Sequence, residues 1–155
     1  MKAPRGSLAL DQQSIEKSPN AGTTATILLV DTRYAALRRT AESLRRAGYD
    51  VIEAASFDDA KRVLAVRRPV LLISHLRLAA FNGLHLVHLG RLAQPDLNAI
   101  IISSGADAAL QVEAERVGAS LLVEPVPTSA LQSLIGRMFA PEISSLGNHP
   151  SPASA

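Results

Sequence analysis

Five short runs typical of β-strands alternate with five segments of helical period along this chain, and this alternation strongly limits the folds open to it. The runs lie at residues 26–30, 50–54, 70–74, 99–103 and 120–123. Between them, and after the last one, apolar side chains recur every three or four residues, as on one face of a helix. Strands joined by helices pair in parallel, and their crossovers are right-handed. The pattern therefore predicts an α/β fold with a doubly wound sheet of five parallel strands.

Turn and capping residues indicate where the helices begin and end. Gly48 ends the first helix, and Ser56 with Asp59 three positions later resembles a capping box that opens the second. Thr128 is expected to cap the last helix, and residues 78–83 are expected to form a loop. The side chains predicted to face the core are Tyr34, Leu37, Ala41 and Leu44 in the first helix and Ala130, Leu131, Leu134, Ile135 and Met138 in the last.

The periodic pattern covers only the middle of the chain. We expect one domain over residues 25–139, with a flexible N-terminal arm at residues 1–24 and a flexible C-terminal tail at residues 140–155. The end segments mix Pro, Gly and Ser with polar residues and carry no sustained period. The chain of 155 residues is long enough to bury one sizeable core.

Charge and run length exclude several classes of partner. Sixteen Lys and Arg residues against fourteen Asp and Glu give a formal charge of +2, which is too small to indicate nucleic acid as a partner. The apolar runs are far shorter than the roughly 20 residues of a membrane-spanning helix, and the N-terminal segment lacks the apolar region of a signal peptide. Cysteine is absent, which excludes disulfides and thiolate metal sites. The sequence thus predicts a cytoplasmic protein that binds neither nucleic acid nor membrane.

Polar side chains end or follow four of the predicted strands. In a doubly wound sheet the carboxyl ends of the strands meet in a crevice at the switch in strand order, where binding and chemistry are expected. The residues that fall there are Asp31, Thr32, His75, Ser103 and Glu124. These five residues form the predicted functional pocket.

The order of short motifs along the chain resembles that of bacterial response-regulator receiver domains, over about residues 25–139. The motifs are residues 27–31 (ILLVD), 47–49 (AGY), 81–84 (FNGL), 103–107 (SSGAD) and 118–119 (GA), followed by Pro125. The resemblance implies a flavodoxin-like (βα)5 fold with strand order 2-1-3-4-5. It also implies a role in two-component signal transduction.

The resemblance implies a phosphoacceptor pocket that this sequence retains only in part. The family holds Mg²⁺ with two acids after the first strand, and it uses an Asp on the third strand, a Ser or Thr on the fourth and a Lys before the last Pro. Asp31 and Ser103 match, whereas Thr32, His75 and Glu124 replace the second acid, the acceptor and the Lys. A hydroxyl is a poor ligand for a hard dication, an imidazole cannot form an acyl phosphate, and Glu124 repels a phosphoryl dianion. We therefore expect a degenerate receiver, or pseudo-receiver, with no catalytic residue, no cofactor and Mg²⁺ binding that is lost or weak.

Two interpretations of His75 and Glu124 stay open at this point. Their side chains form a hydrogen-bonded pair in place of the family's Asp and Lys, or His75 fills a partly wet crevice while Glu124 points to solvent. Ser103 likewise either binds an anion or caps its own turn. His85 and His88 lie three positions apart, but no nearby acid or cysteine completes a tetrahedral site, so no metal site is predicted there.

The expected function follows from the resemblance and from the missing pocket residues. We expect a stand-alone signalling module, not an enzyme, that acts through protein–protein contacts with a histidine kinase or an output protein, and a homodimer is left open. In receivers the contact face comprises the fourth helix, fifth strand and fifth helix, and here its candidates are Leu110, Val112 and Met138. The alternative is an active phosphoacceptor of a two-component phosphorelay, with the residual acid Asp31 as the acceptor.

Overall fold

The computed structural model describes residues 25–139, so the predicted arm and tail lie outside the described residues. Residues 25–139 form an alternating succession of strands and helices. In chain order these are β1 (Thr26–Val30), α1 (Tyr34–Arg46), β2 (Asp50–Ala54), α2 (Phe57–Val66), β3 (Leu71–His75), β4 (Arg77–Leu78), β5 (Phe81–Asn82), α3 (Gly83–Ala93), β6 (Asn98–Ser103), α4 (Ala108–Arg116), β7 (Ser120–Val123) and α5 (Thr128–Phe139). Within this part of the chain, no helix has the length and apolar character needed to cross a membrane.

Five of the strands form one parallel sheet in the order β2-β1-β3-β6-β7. Apart from the short β4 and β5, this is the order 2-1-3-4-5, so the predicted doubly wound fold is confirmed. The register pairs Val30 with both Ala54 and Ser74, and His75 with Ile102, which brings the carboxyl ends of the strands to one edge. Every residue of the central strand β3 is buried, because helices cover both faces of the sheet.

Alternate side chains along each strand supply two cores, one on each face of the sheet. On one face, Leu28 and Val30 of β1 pack with residues of α2, α3 and α4. On the other face, Ile27 and Leu29 pack with residues of α1 and α5. Each fully buried aliphatic side chain contributes about 1.5–3 kcal/mol to the stability of this three-layer arrangement.

Local signals set the ends of the helices next to the sheet. The Ser56 hydroxyl accepts a hydrogen bond from the Asp59 amide at 3.1 Å, as expected of the predicted capping box. Asn82 caps α3 by accepting from the Leu84 amide at 2.7 Å. Gly48, with a φ of 102°, follows the end of α1 in a backbone conformation that favours glycine.

Some helix residues were predicted on the wrong face. Tyr34 is 66% exposed and Ala130 is also exposed, although both were expected to face the core. Each lies in the first turn of its helix, next to the carboxyl edge of the sheet. The helical period does not show where the sheet ends, which explains the error. In addition, α5 begins at Thr128 itself, so this residue is helical instead of a preceding cap.

The segment 78–83, predicted as a loop, contributes to a short hairpin. β4 and β5 pair antiparallel, with Leu78 opposite Phe81. Leu78 is fully buried, and the ring of Phe81 stacks on Phe57 with the centroids 4.5 Å apart. The contact between Phe81 and Phe57 joins the hairpin to α2, an element that is distant in sequence.

Candidate functional site

The carboxyl ends of β1, β3, β6 and β7 meet in one crevice, and four of the five candidate residues lie there. Asp31 follows β1, His75 ends β3, Ser103 ends β6, and Glu124 follows β7. β3 runs one residue further than predicted, so that His75 belongs to the strand. The Glu124 amide donates to the Ser103 carbonyl at 2.7 Å, which joins the last two strand ends. Thr32, the fifth candidate, is exposed.

Arg33, which the sequence pattern did not single out, bridges the two acids of the crevice. Its Nη2 donates to Asp31 Oδ2 at 2.7 Å and to Glu124 Oε2 at 2.8 Å. Its Nε and its backbone amide both donate to Asp31 Oδ1, at 3.0 and 2.9 Å. A planar guanidinium has donors in fixed directions that suit carboxylate oxygens. One side chain therefore joins the end of β1 to the end of β7.

This network shifts the protonation equilibria of two members. Hydrogen bonds to Asp31 and to Glu124 raise the pKa of Arg33 above its ordinary value, so the guanidinium stays charged. Hydrogen bonding from Arg33, with a smaller contribution from His75, lowers the pKa of the Glu124 carboxyl despite its partial burial. Glu124 is thus a carboxylate near neutral pH, next to a permanent cation.

His75 is turned toward Glu124 and is only 8% exposed. Its Nε2 lies 3.4 Å from Glu124 Oε1. Its Nδ1 lies 3.3 Å from the Arg77 amide and 3.4 Å from the Arg77 carbonyl. Because a carboxylate oxygen only accepts, the contact with Glu124 is a hydrogen bond when Nε2 carries a proton. Of the two interpretations left open by the sequence, the imidazole–carboxylate pair is the one present.

The Ser103 hydroxyl is engaged within its own loop. Its Oγ donates to the Gly105 carbonyl at 2.7 Å and accepts from the Gly105 amide at 3.2 Å. The hydroxyl thus caps its own turn, which is the second of the two interpretations that the sequence left open.

The crevice does not fit the Mg²⁺ ion that the receiver resemblance implies. Mg²⁺ requires several oxygen ligands in an octahedral arrangement. Asp31 is the acid retained after β1, and both of its oxygens accept hydrogen bonds from Arg33. An imidazole, that of His75, lies where the family has a carboxylate. Across residues 25–139, no three His, Asp or Glu side chains are grouped so as to hold a metal ion.

A groove of about 560 Å³ lies beside this network, lined by residues of α1 and of the segment that leads into α5. Asp31, Arg33 and Glu124 line it, and so does Arg39 from the middle of α1. Asp31 and Glu124 therefore border a groove that is open to solvent. Binding in the groove therefore depends on the charges and hydrogen bonds of the side chains that line it.

The three residues predicted for the contact face lie on the two helices that precede and follow the edge strand β7. Leu110 of α4 is partly buried against the core on one face of the sheet, and Met138 of α5 against the core on the opposite face. Val112 of α4 is 53% exposed. Val112 is accordingly the member of this set that is most available to a partner, and its role in binding stays a prediction.

Comparisons with known protein sequences identify the family to which this fold belongs. Residues 27–135 match the family described as the response regulator receiver domain. The photosynthetic apparatus regulatory protein RegA of Cereibacter sphaeroides is 29% identical over 99 residues, which cover 64% of this chain and 54% of that protein. This chain thus spans about half the length of that curated relative.

Solved structures of receiver proteins have the same fold. A CheY-like response regulator receiver domain protein from Methanospirillum hungatei aligns with a TM-score of 0.73 and 22% identity, over 79% of this chain and 98% of that one. A response regulator protein from Burkholderia pseudomallei, solved with a phosphorylated aspartic acid, a calcium ion and citrate, aligns with a TM-score of 0.66 and 22% identity. That alignment covers 81% of this chain and 75% of the other. At these identities the likeness concerns the fold alone.

Proposed function

Because the chain belongs to the response regulator receiver domain family, we propose that it is a signalling module that acts through protein–protein contacts, without aspartyl phosphorylation of its own. The observation that carries this proposal is the contact of His75 Nε2 with Glu124 Oε1 at 3.4 Å. These two side chains stand where receivers have the acceptor Asp and its Lys. In this proposal the output is binding, and the chain is not an enzyme.

The charges of the crevice oppose phosphoryl transfer to His75. The ring is almost fully buried, and its Nε2 faces the Glu124 carboxylate. An incoming phosphoryl group is negatively charged, and Glu124 is ionised near neutral pH because its pKa is lowered. Asp31 and Glu124 together outweigh the one positive charge of Arg33, so the crevice repels a phosphoryl group where a Lys at the same position attracts it in the family.

A phosphorelay with Asp31 as the acceptor is the second candidate function. Asp31 is the acid that matches the family pattern, but its side chain is only 14% exposed and both of its oxygens accept hydrogen bonds from Arg33. An attacking oxygen has to release such a bond, and a charge-assisted hydrogen bond contributes about 1.5–3 kcal/mol. The engaged carboxylate therefore favours the phosphorylation-independent function over the relay.

We expect no covalent phosphate on this protein after incubation with Mg²⁺ and acetyl phosphate, because the crevice offers neither a free carboxylate nor a metal site. Intact-mass spectrometry reports an added phosphoryl group as about 80 Da. A receiver domain that retains its acceptor Asp serves as the positive control in the same reaction. A stoichiometric adduct that is absent from Asp31→Asn would instead favour the relay, and one absent from His75→Asn would make His75 an acceptor.

Receiver domains act with kinases or output domains, and we propose a partner of that kind that contacts Val112 on α4. Val112→Asp is expected to reduce recovery of this partner on the immobilised protein by about tenfold, the effect of losing a buried apolar contact in an interface. Val66→Asp is the matched control, because Val66 is an exposed apolar residue at the end of another helix, α2. Recovery is measured by quantitative mass spectrometry on variants with equal unfolding midpoints. If both variants recover as much partner as the wild type, Val112 does not belong to the contact face.

A further inference from the structure

The Arg33 guanidinium lies between the two carboxylates of the crevice. Its Nη2 is 2.7 Å from Asp31 Oδ2 and 2.8 Å from Glu124 Oε2, and its Nη1 is 3.4 Å from Glu124 Oε1. A divalent cation that neutralised these two carboxylates would need the same space. A positive charge that belongs to the chain itself is already there.

We propose that the Arg33 guanidinium takes the place of a divalent metal ion: it pairs with both Asp31 and Glu124, keeps divalent cations out of the crevice and ties the end of β1 to the end of β7. This inference rests on the proposed phosphorylation-independent function, in which the crevice needs no metal ion. It goes beyond that function because it assigns the exclusion of divalent cations to one residue, Arg33.

Both the charge of Arg33 and the engaged oxygens oppose a second cation. Three of the four carboxylate oxygens, Asp31 Oδ1 and Oδ2 and Glu124 Oε2, lie within 3.0 Å of an Arg33 nitrogen. The fourth, Glu124 Oε1, contacts His75 Nε2. A metal ion would have to displace these donors and approach a guanidinium that stays charged. The groove is open to solvent, so the engaged side chains, and not burial, oppose the binding of a metal ion.

The same contacts reach across the sheet. β1 and β7 are separated by β3 and β6 in the strand order, and Arg33 and Glu124 are 91 positions apart in sequence. Because Arg33 holds Glu124, it also fixes the start of the segment between β7 and α5 without any bound ion. A module that signals through contacts needs one defined surface. The Arg33 bridge holds the ends of β1 and β7 in one conformation without a bound ligand.

The test is a titration of the wild type and of Arg33→Met with Mn²⁺, followed by water-proton relaxation. We expect the wild type to show no saturable binding up to about 1 mM Mn²⁺, the weak end of the range of protein sites for hard cations. Arg33→Met removes the charge and the donors but keeps an unbranched side chain. We expect it to bind Mn²⁺ at least about tenfold more tightly, since one unit charge at a few ångströms acts on this scale in a partly solvated site. The gain should be lost in the double variant Arg33→Met/Asp31→Asn.

Two further variants separate charge from shape. Arg33→Lys keeps the positive charge and is expected to exclude Mn²⁺ as the wild type does. Arg39→Met removes an arginine that lines the same groove, and it is also expected to behave as the wild type. The proposal is overturned if the wild type binds Mn²⁺ in a manner that Asp31→Asn abolishes, or if Arg33→Met binds no better than the wild type.

A measurement on the wild type alone decides the matter if Arg33→Met does not fold. Paramagnetic broadening of the Asp31 and Glu124 amide NMR signals at about 1 mM Mn²⁺ would show a cation in the crevice and contradict the proposal, whereas unchanged signals support it. The acetyl phosphate experiment is independent of both titrations. A phosphoryl adduct would contradict the proposed function. Mn²⁺ binding to the wild type without an adduct would contradict only the role that we assign to Arg33.

Discussion

Replacing Gly83 with alanine is expected to lower the free energy of unfolding by about 2–3 kcal/mol, because the new methyl group has no room. Gly83 is the first residue of α3 and is buried. A Cβ at this position would lie 2.4 Å from the His75 carbonyl oxygen and 2.8 Å from Ser74 Oγ. Both atoms belong to β3, which is hydrogen-bonded to a strand on each side and cannot shift without breaking a ladder. The start of α3 has to move away from the crevice instead.

Gly136→Ala is the matched control for this substitution. Gly136 lies in α5, and a Cβ there would meet no atom within 4 Å. Alanine favours a helix over glycine by up to about 1 kcal/mol, so this variant is expected to be more stable than the wild type. Urea unfolding at neutral pH measures both changes. A Gly83→Ala variant as stable as the wild type would mean that α3 does not approach β3 as closely as the structure has it.

The fold could be predicted because its main signals are local in sequence. Residues 99–103 are apolar without interruption at their centre, as expected of a strand covered on both faces, and they lie in β6 between β3 and β7. The cap at Ser56 could also be predicted from the sequence, because an N-cap side chain bonds to a backbone amide only three positions away. The exposure of Tyr34 could not be predicted from the helical period, since it depends on how the first turn of α1 is placed against the sheet.

The positions of the pocket residues could be predicted as well, but their partners could not. Parallel strands end at one edge, and this is enough to bring Asp31, His75 and Glu124 together. The bridge through Arg33 depends on one conformer of a long side chain and on an acid 91 positions away, and no local pattern links the two. Charge balance was the available signal. Two acids in one partly buried crevice without a Lys require a nearby cation, and Arg33 follows Asp31 by two positions.

Glu124→Gln is expected to lower the free energy of unfolding at neutral pH by about 1–2 kcal/mol. The substitution removes the negative charge that Arg33 Nη2 contacts at 2.8 Å and that His75 Nε2 contacts at 3.4 Å. Charge-assisted hydrogen bonds contribute about 1.5–3 kcal/mol when they are buried, and the Glu124 side chain is 26% exposed, so solvent reduces the effect. Glu113→Gln, which removes a carboxylate 3.6 Å from Arg116 on the surface of α4, is the control and is expected to cost less than about 1 kcal/mol.

The difference in stability between the wild type and Glu124→Gln is also expected to depend on pH. Arg33 and His75 contact the Glu124 carboxyl, and hydrogen bonding from Arg33 lowers its pKa below the ordinary value of 4.5. A carboxyl whose pKa is lower in the folded state than in the unfolded state stabilises the fold above the unfolded pKa, and this stability is lost as the pH falls through the folded pKa. The difference should therefore be complete at about pH 7, begin to shrink below about pH 4.5 and disappear once Glu124 is protonated in both states. Urea unfolding of both proteins at several pH values between about 7 and 3 measures it. A difference that stays constant over this range would show that Glu124 stabilises the protein by its packing and not by its charge.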